Sequence, residues 1–348
     1  MVSSNIFHAI NLCIAKGIPF AAYQLPNDDN ITLFSNPTFS SNNNNKSFLI
    51  GFFGDKTSDP IAIYNECDAL ETINLDFNKI PTLQLPQISP FKESTEYSTY
   101  TNSFKLIKQH LERSMGKVVL SRVTCGIHNI TDWSDTINTY FSKFINTFRY
   151  IYYTPQTGGW IGASPEALIL KDSNDQKYRT ISLAGTRKMS IDNFQWDKKN
   201  IEEHDFVTKY IVDTLNEIGC EVEVSQYVNI PFGQIEHLGN HINIIDSNGY
   251  KPIELVKILS PTPALSGYPV GDSLDILSKV EHHPRHCYGG YVAIDDCNFY
   301  SYVNLRCAHF DSNTFCLYSG GGITLESSLE DEWLETENKI VELKKLFI

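Results

Sequence analysis

The stretch GGWIGASPEALI, Gly158 to Ile169, places apolar residues on both sides of a cluster of small ones, followed by a proline and a carboxylate. Short apolar runs broken by Gly, Ser and Pro read as strand, tight turn, strand. Similar runs recur along the chain. FAAY, ITLF, FLIGFF and IAIY lie between Phe20 and Tyr64, and YRTISLAG, GGYVAI, YSYVNLRC and FCLYSGG follow later. The spacing predicts helices over Ser98–Met115, Trp133–Phe148, Trp196–Gly219 and Leu329–Phe347, with strands outnumbering them. Mixed order and short strands point to an α+β chain with antiparallel sheets. Glu166 is the odd residue of the opening stretch, because a solvated turn needs only Asp, Asn or Gly.

The chain has 348 residues and a formal net charge of −13. Such a charge argues against nucleic acid or an anionic membrane as a partner, while leaving room for an anionic small molecule held by a local cation. No stretch approaches the roughly 20 apolar residues that span a bilayer. The first residues, MVSSNIFHAINLCIAKGIPF, read as an amphipathic helix capped at Ser3 or Ser4 and stopped at Gly17, not as a secretion signal. The eight cysteines form no CxxC pair and are expected mostly as small core residues. His282, His283 and His286 lack zinc-ligand spacing and read as loop residues.

Two helices carry carboxylates toward apolar stripes. At about 100° per residue, Glu203 falls on the arc of Val207, Tyr210, Ile211, Thr214, Leu215 and Ile218, with Asn200 beside it. That is costly unless the carboxylate is paired, metal-bound, or still solvated near the helix start. In EDEWLETENKIVEL, Glu332, Glu335 and Lys339 share a sector flanking Trp333, Ile340 and Leu343. Either Glu335 and Lys339 form a surface pair, or the two helices together offer oxygen ligands to a hard cation such as Mg²⁺. Just before the last helix, YSGGGITLESS follows a strand with three glycines that permit close approach of backbone N–H groups to a ligand, or simply a turn.

In order along the chain, KVVLSR, GASPEALI, SLAGTRK, EEHDFV, SPTPALSGYP, PRHCYGGYVAI, VNLRC and SGGGITLESSLEDEWLETENK resemble the motifs of the chorismate-utilising enzymes. This family includes isochorismate, salicylate, anthranilate and aminodeoxychorismate synthases. The resemblance implies one intertwined domain over residues 1–348, with an N-terminal sheet half over 1–95 and the chorismate-binding region over 96–348. It implies a sandwich of two antiparallel sheets with helices outside and the substrate between the sheets. By position, Glu203 and Glu335 match the family's Mg²⁺ ligands, with Glu332 a nearby carboxylate. Arg306 and Tyr288 match residues holding the enolpyruvyl carboxylate. Gly185, Thr186, Gly320, Gly321 and Gly322 match backbone and hydroxyl contacts to substrate, His237 a histidine near the ring, and Lys339 a lysine close to the metal carboxylates.

Members that add water resemble this chain in carrying a lysine, here Lys117, as general base. Such an amine must be uncharged part of the time. Glu166 then matches the general acid that protonates the departing C4 hydroxyl. Ala264, where other members usually have threonine, fits a reaction that stops at isochorismate. The resemblance therefore implies a cytoplasmic, Mg²⁺-dependent isochorismate synthase serving menaquinone or siderophore formation, monomeric and without a glutaminase subunit. Salicylate synthase is the near rival. Lys117 speaks against an ammonia user, and Lys117 with Glu166 against a non-catalytic binder. Asn200 stands where the family often has an acidic residue; Ser260, His286, Cys287 and Ala293 also depart from its commoner residues.

Overall fold

A computed structural model describes residues 2–38, 46–76, 88–114, 116–175, 177–189, 195–232 and 235–348. The strands in chain order are β1 (Phe20–Gln24), β2 (Thr32–Ser35), β3 (Ser47–Gly51), β4 (Ile61–Tyr64), β5 (Lys117–Ile127), β6 (Phe148–Thr154), β7 (Gly158–Ser164), β8 (Ala167–Lys171) and β9 (Tyr178–Lys188). They continue as β10 (Glu221–Val224), β11 (Val228–Phe232), β12 (Ile235–Ile245), β13 (Gly267–Tyr268), β14 (Tyr291–Asp295), β15 (Phe299–Val303), β16 (Cys307–Phe310) and β17 (Thr314–Ile323). The helices are α1 (Val2–Lys16), α2 (Ala69–Ile73), α3 (Tyr97–Leu111), α4 (Ser134–Phe141), α5 (Lys198–Glu217), α6 (Pro252–Leu259), α7 (Val270–Val280) and α8 (Leu329–Lys344).

The strands form two sheets. One runs β13-β5-β17-β16-β7-β6-β1-β2 and the other β10-β12-β9-β8-β15-β14-β3-β4, with β11 also on β12. Every named pairing is antiparallel, as expected for the class. The segment before residue 96 gives β1 and β2 to the first sheet and β3 and β4 to the second. An aromatic layer fills the space between the sheets: Phe148 of β6 stacks on Tyr302 of β15 at 4.3 Å, and Phe48 of β3 meets Tyr152 of β6 at 5.6 Å. The helices pack outside. α1, α4 and the end of α8 share an apolar cluster with the first sheet, α3 and α7 cover β5, and α5 lies on β9 and β12.

The opening stretch is not a hairpin. β7 pairs with β6 and β16 in the first sheet, whereas β8 pairs with β9 and β15 in the second. The chain crosses from one sheet to the other through Pro165 and Glu166. The small residues of β7 make room for protein side chains: a Cβ on Gly162 would collide with the Tyr150 hydroxyl oxygen, and one on Gly159 would strike Phe310.

Two site-bearing helices begin with side-chain caps. Asp197 accepts from Asn200 N at 2.8 Å to start α5, and Ser328 accepts from Asp331 N at 3.2 Å to start α8. Glu330, Asp331 and Glu332 in the first turn of α8 suit the positive end of its dipole. Along α5, Val207, Ile211 and Leu215 are buried, as their spacing predicts.

Other expectations change. The helix expected over Trp133–Phe148 stops at Phe141, because Phe144 takes a left-handed φ of 54° and Phe148 already opens β6. No glycine marks that stop. α6 and α7 replace what read as unassigned chain; Pro252 and Pro269 stand at their starts. Met115 lies outside the described residues. Cys13, Cys220, Cys287 and Cys307 are buried as expected, but Cys125 and Cys316, opposite each other on β5 and β17, form a disulfide, while Cys297 is exposed. No described helix is long and apolar enough to cross a membrane.

Candidate active site

A cavity of about 280 Å³ opens where the start of β5, the end of β17, the crossing at Glu166 and the faces of α5 and α8 converge. Register explains much of it. β17 runs against β5 with Gly320 opposite Ser121 and Gly322 opposite Val119, which sets the glycines beside Lys117. Lys117, Glu166, Gly185, Glu203, His237, Ala264, Tyr288, Arg306, Gly320, Gly322, Glu332, Glu335 and Lys339 all line this cavity. Gly321 is not among the lining residues. Alternation along β17 turns it to the opposite face, where a Cβ would stand 2.6 Å from Glu332 Oε2. Thr186 belongs to β9, but its side chain lies outside the described residues.

Glu166 is 2 % exposed, and its backbone is held by Val303 N, which donates to Glu166 O at 3.0 Å. Burial pushes its carboxyl up to about 7, against the opposing influence of the Thr262 hydrogen bond and the Lys117 charge. At neutral pH, then, much of this group retains a proton to give. Lys117, 1 % exposed, donates from Nζ to Glu203 Oε1 at 3.0 Å. The amine has a lone pair to offer only after losing a proton.

Cations and carboxylates both line the rest of the wall. Lys339 pairs with Glu335 at 2.5 Å and donates to Gly320 O at 2.7 Å. This i,i+4 pair is the one expected on a surface, here set at the rim of the cavity. Arg306, held at a φ of 50°, donates from Nη1 to Lys339 O at 3.4 Å; burial pushes its guanidinium down to about 10, with Glu335 opposing. His237 donates from Nδ1 to Gly185 O at 2.9 Å, which fixes the tautomer and leaves Nε2 as an acceptor. Burial, then the Arg306 charge, hold that ring down at about 3, so it is neutral. Glu332 accepts from Ser327 Oγ at 2.6 Å.

The donor set fits a hard divalent cation. Glu203 from α5 and Glu335 from α8 reach one cavity, with Glu332 behind them, and Gly322 leaves the space that a Cβ would take 2.6 Å from Glu203 Oε1. Mg²⁺ typically takes one or two protein carboxylates and keeps its waters. Among the described residues, no group of three or more His, Cys, Asp or Glu side chains is arranged as a metal site, so a cation here would rest on one or two of these carboxylates.

The sequence reading missed several lining residues, among them Val119, Leu183, Leu265, Leu305, Tyr318 and Ser319. A period of two would have found some of them. Tyr318, Gly320 and Gly322 share one face of β17, as Lys117 and Val119 share one face of β5. Asn200 and Asp197 also line the cavity, joined by an Asn200 Nδ2 to Asp197 Oδ2 bond of 2.7 Å.

The chain is 30% identical over 249 residues to the isochorismate synthase EntC of Escherichia coli, an alignment covering 66% of this chain and 62% of that protein. It thus spans about three fifths of the length of that curated relative. Among solved structures, the menaquinone-specific isochorismate synthase MenF of Escherichia coli superposes with a TM-score of 0.75 at 19% identity, covering 95% of this chain and 89% of that one. A structure ascribed to a 2,3-dihydroxybenzoate-specific isochorismate synthase, DhbC, from Bacillus anthracis gives 0.78 at 20% identity over 99% of both chains. These two likenesses establish the shared fold. The family described as chorismate binding enzyme matches residues 30–347, and the chain belongs to it.

Proposed function

We propose that this protein is an isochorismate synthase, which converts chorismate to isochorismate. Water adds at C2 of the ring, the C4 hydroxyl departs as water, and the double bonds shift between the two carbons. The observation that carries this reading is the pairing, in one cavity, of a buried carboxyl pushed up to about 7 with a buried lysine amine. Glu166 supplies the proton that lets the C4 hydroxyl leave, and Lys117 takes one from the attacking water. One group must be protonated where the other must not be, and the cavity gives them different surroundings. Arg306 and Lys339 offer positive charge to the substrate's carboxylates, with the Tyr288 hydroxyl and the backbone of Gly185, Gly320 and Gly322 around them.

Mg²⁺ is the cation we assign to Glu203 and Glu335, with Glu332 near; when bound it supplies charge that anchors and neutralises a substrate carboxylate. Ala264, small and apolar, supports release of isochorismate without pyruvate loss. The reading further places the protein in the cytoplasm as a monomer without a glutaminase subunit, and its product in menaquinone formation, with siderophore formation the alternative.

The test is to incubate the pure protein with chorismate and Mg²⁺, with and without an ammonium salt, and to identify the products chromatographically. Isochorismate alone is the expected result. Salicylate with pyruvate would transfer the protein to the salicylate synthases, an aminated product to the ammonia users, and no product would leave a binder.

A further inference from the structure

Glu166 is fixed at its backbone, yet a glutamate side chain has three rotatable bonds, and a proton donor is useful only if one chosen oxygen faces the substrate. The Thr262 hydroxyl donates to Glu166 Oε1 at 3.1 Å. Thr262 is 2 % exposed and lies between Pro261 and Pro263 in the turn that follows α6. Its own carbonyl accepts from Leu265 N and Ser266 N, both at 3.0 Å, and from Ser266 Oγ at 2.9 Å. The hydroxyl is thus presented by a tightly bonded turn.

The carbonyl oxygen of a protonated carboxyl is a better acceptor than its O–H oxygen, so a hydroxyl that donates to Oε1 favours the acid proton on Oε2. We propose that Thr262 is the positioning residue of Glu166, fixing the carboxyl's orientation and favouring Oε2 as the site of its transferable proton. The inference rests on Glu166 as the acid of the reaction.

Donation to the carboxylate also favours its charged form, so the bond opposes the effect of burial. Glu166 shares the cavity with Lys117 of β5, Asp197 and Glu203 at the start of α5, His237 of β12, Arg306 between β15 and β16, and Glu332, Glu335 and Lys339 of α8. Of these, the Lys117 charge acts on it, in the same direction as Thr262.

The test is Thr262→Val, which keeps the shape and removes the donor, beside Thr262→Ser, which restores the donor. Infrared difference titration of substrate-free protein, with Glu166→Gln as the subtracted reference, follows the protonated C=O stretch of Glu166 alone. Removing the hydroxyl is expected to raise the titration midpoint from about 7 by about one to two pH units. Serine is expected to return it to the wild-type value. In turnover, the high-pH limb of kcat should shift upward in the valine variant, with kcat lowered at neutral pH and KM little changed. A folded valine variant that titrates like wild type, or a serine variant that titrates like valine, would overturn the proposal. Thr262→Ala carries the same expectation if the valine variant does not fold. Failure of the isochorismate assignment would show separately, as wild-type protein that makes no isochorismate, and would leave the infrared result standing.

Discussion

Replacing Glu166 by glutamine should stabilise the protein at alkaline pH while abolishing its chemistry. Burial raises the Glu166 carboxyl from 4.5 to about 7. Between those values the folded chain holds a proton that the unfolded chain has lost, so stability falls as pH rises through this window. Below 4.5 the group is protonated in both states and has no effect; above about 7 the full cost of a buried carboxylate is present. The difference between the two values corresponds to about 3 kcal/mol. Glutamine has the same shape and no charge, so the variant escapes that cost. The stability difference between Glu166→Gln and wild type should therefore move in the variant's favour by about 3 kcal/mol between pH 4 and pH 8. Urea unfolding followed by circular dichroism at both pH values gives the comparison directly. An unchanged difference would show that Glu166 titrates as it would in water, and would remove the physical basis for assigning it as the acid.

The remaining expectations concern the cavity wall. Lys117→Ala should fold and lose turnover by about 10²–10⁴-fold; near wild-type isochorismate formation would dismiss Lys117 as the base. Glu335→Gln should weaken Mg²⁺ binding, read by calorimetric titration of the metal alone, and an unaltered isotherm would remove Glu335 from the ligand set. Gly322→Ala would place a Cβ 2.6 Å from Glu203 Oε1 and 3.8 Å from Lys117 Cδ. It should depress turnover with the circular dichroism spectrum intact, and full activity would show that the Lys117–Glu203 geometry is not critical.

What the sequence made legible was periodic or local. Val207, Ile211 and Leu215 announced the buried face of α5 and with it the inward lean of Glu203; the Glu335 and Lys339 spacing announced their ion pair. Ordered motifs then gathered thirteen of the fifteen proposed site residues into one cavity, a placement that says where they lie and leaves their roles to experiment. What stayed hidden was contact across long stretches of chain. Strand, turn, strand at Gly158–Ile169 says nothing of which sheet each strand joins, because each has a sequence-near partner, β6 or β9, and a second one, β16 or β15, well over a hundred residues away. Cys125 and Cys316 are 191 residues apart and share no spacing signal. Thr262 meets Glu166 across 96 residues, and only the folded turn brings its hydroxyl there.

The crossing at Pro165 and Glu166 gives the proton donor an unusual address. Its preceding strand is ruled by one sheet and its following strand by the other, so its place in space is set by how the two sheets sit against each other. The aromatic layer between them, with Phe148 against Tyr302, therefore acts as a spacer that sets where this chemical group stands. A core substitution that shifted one sheet against the other would move the Glu166 carboxyl with it.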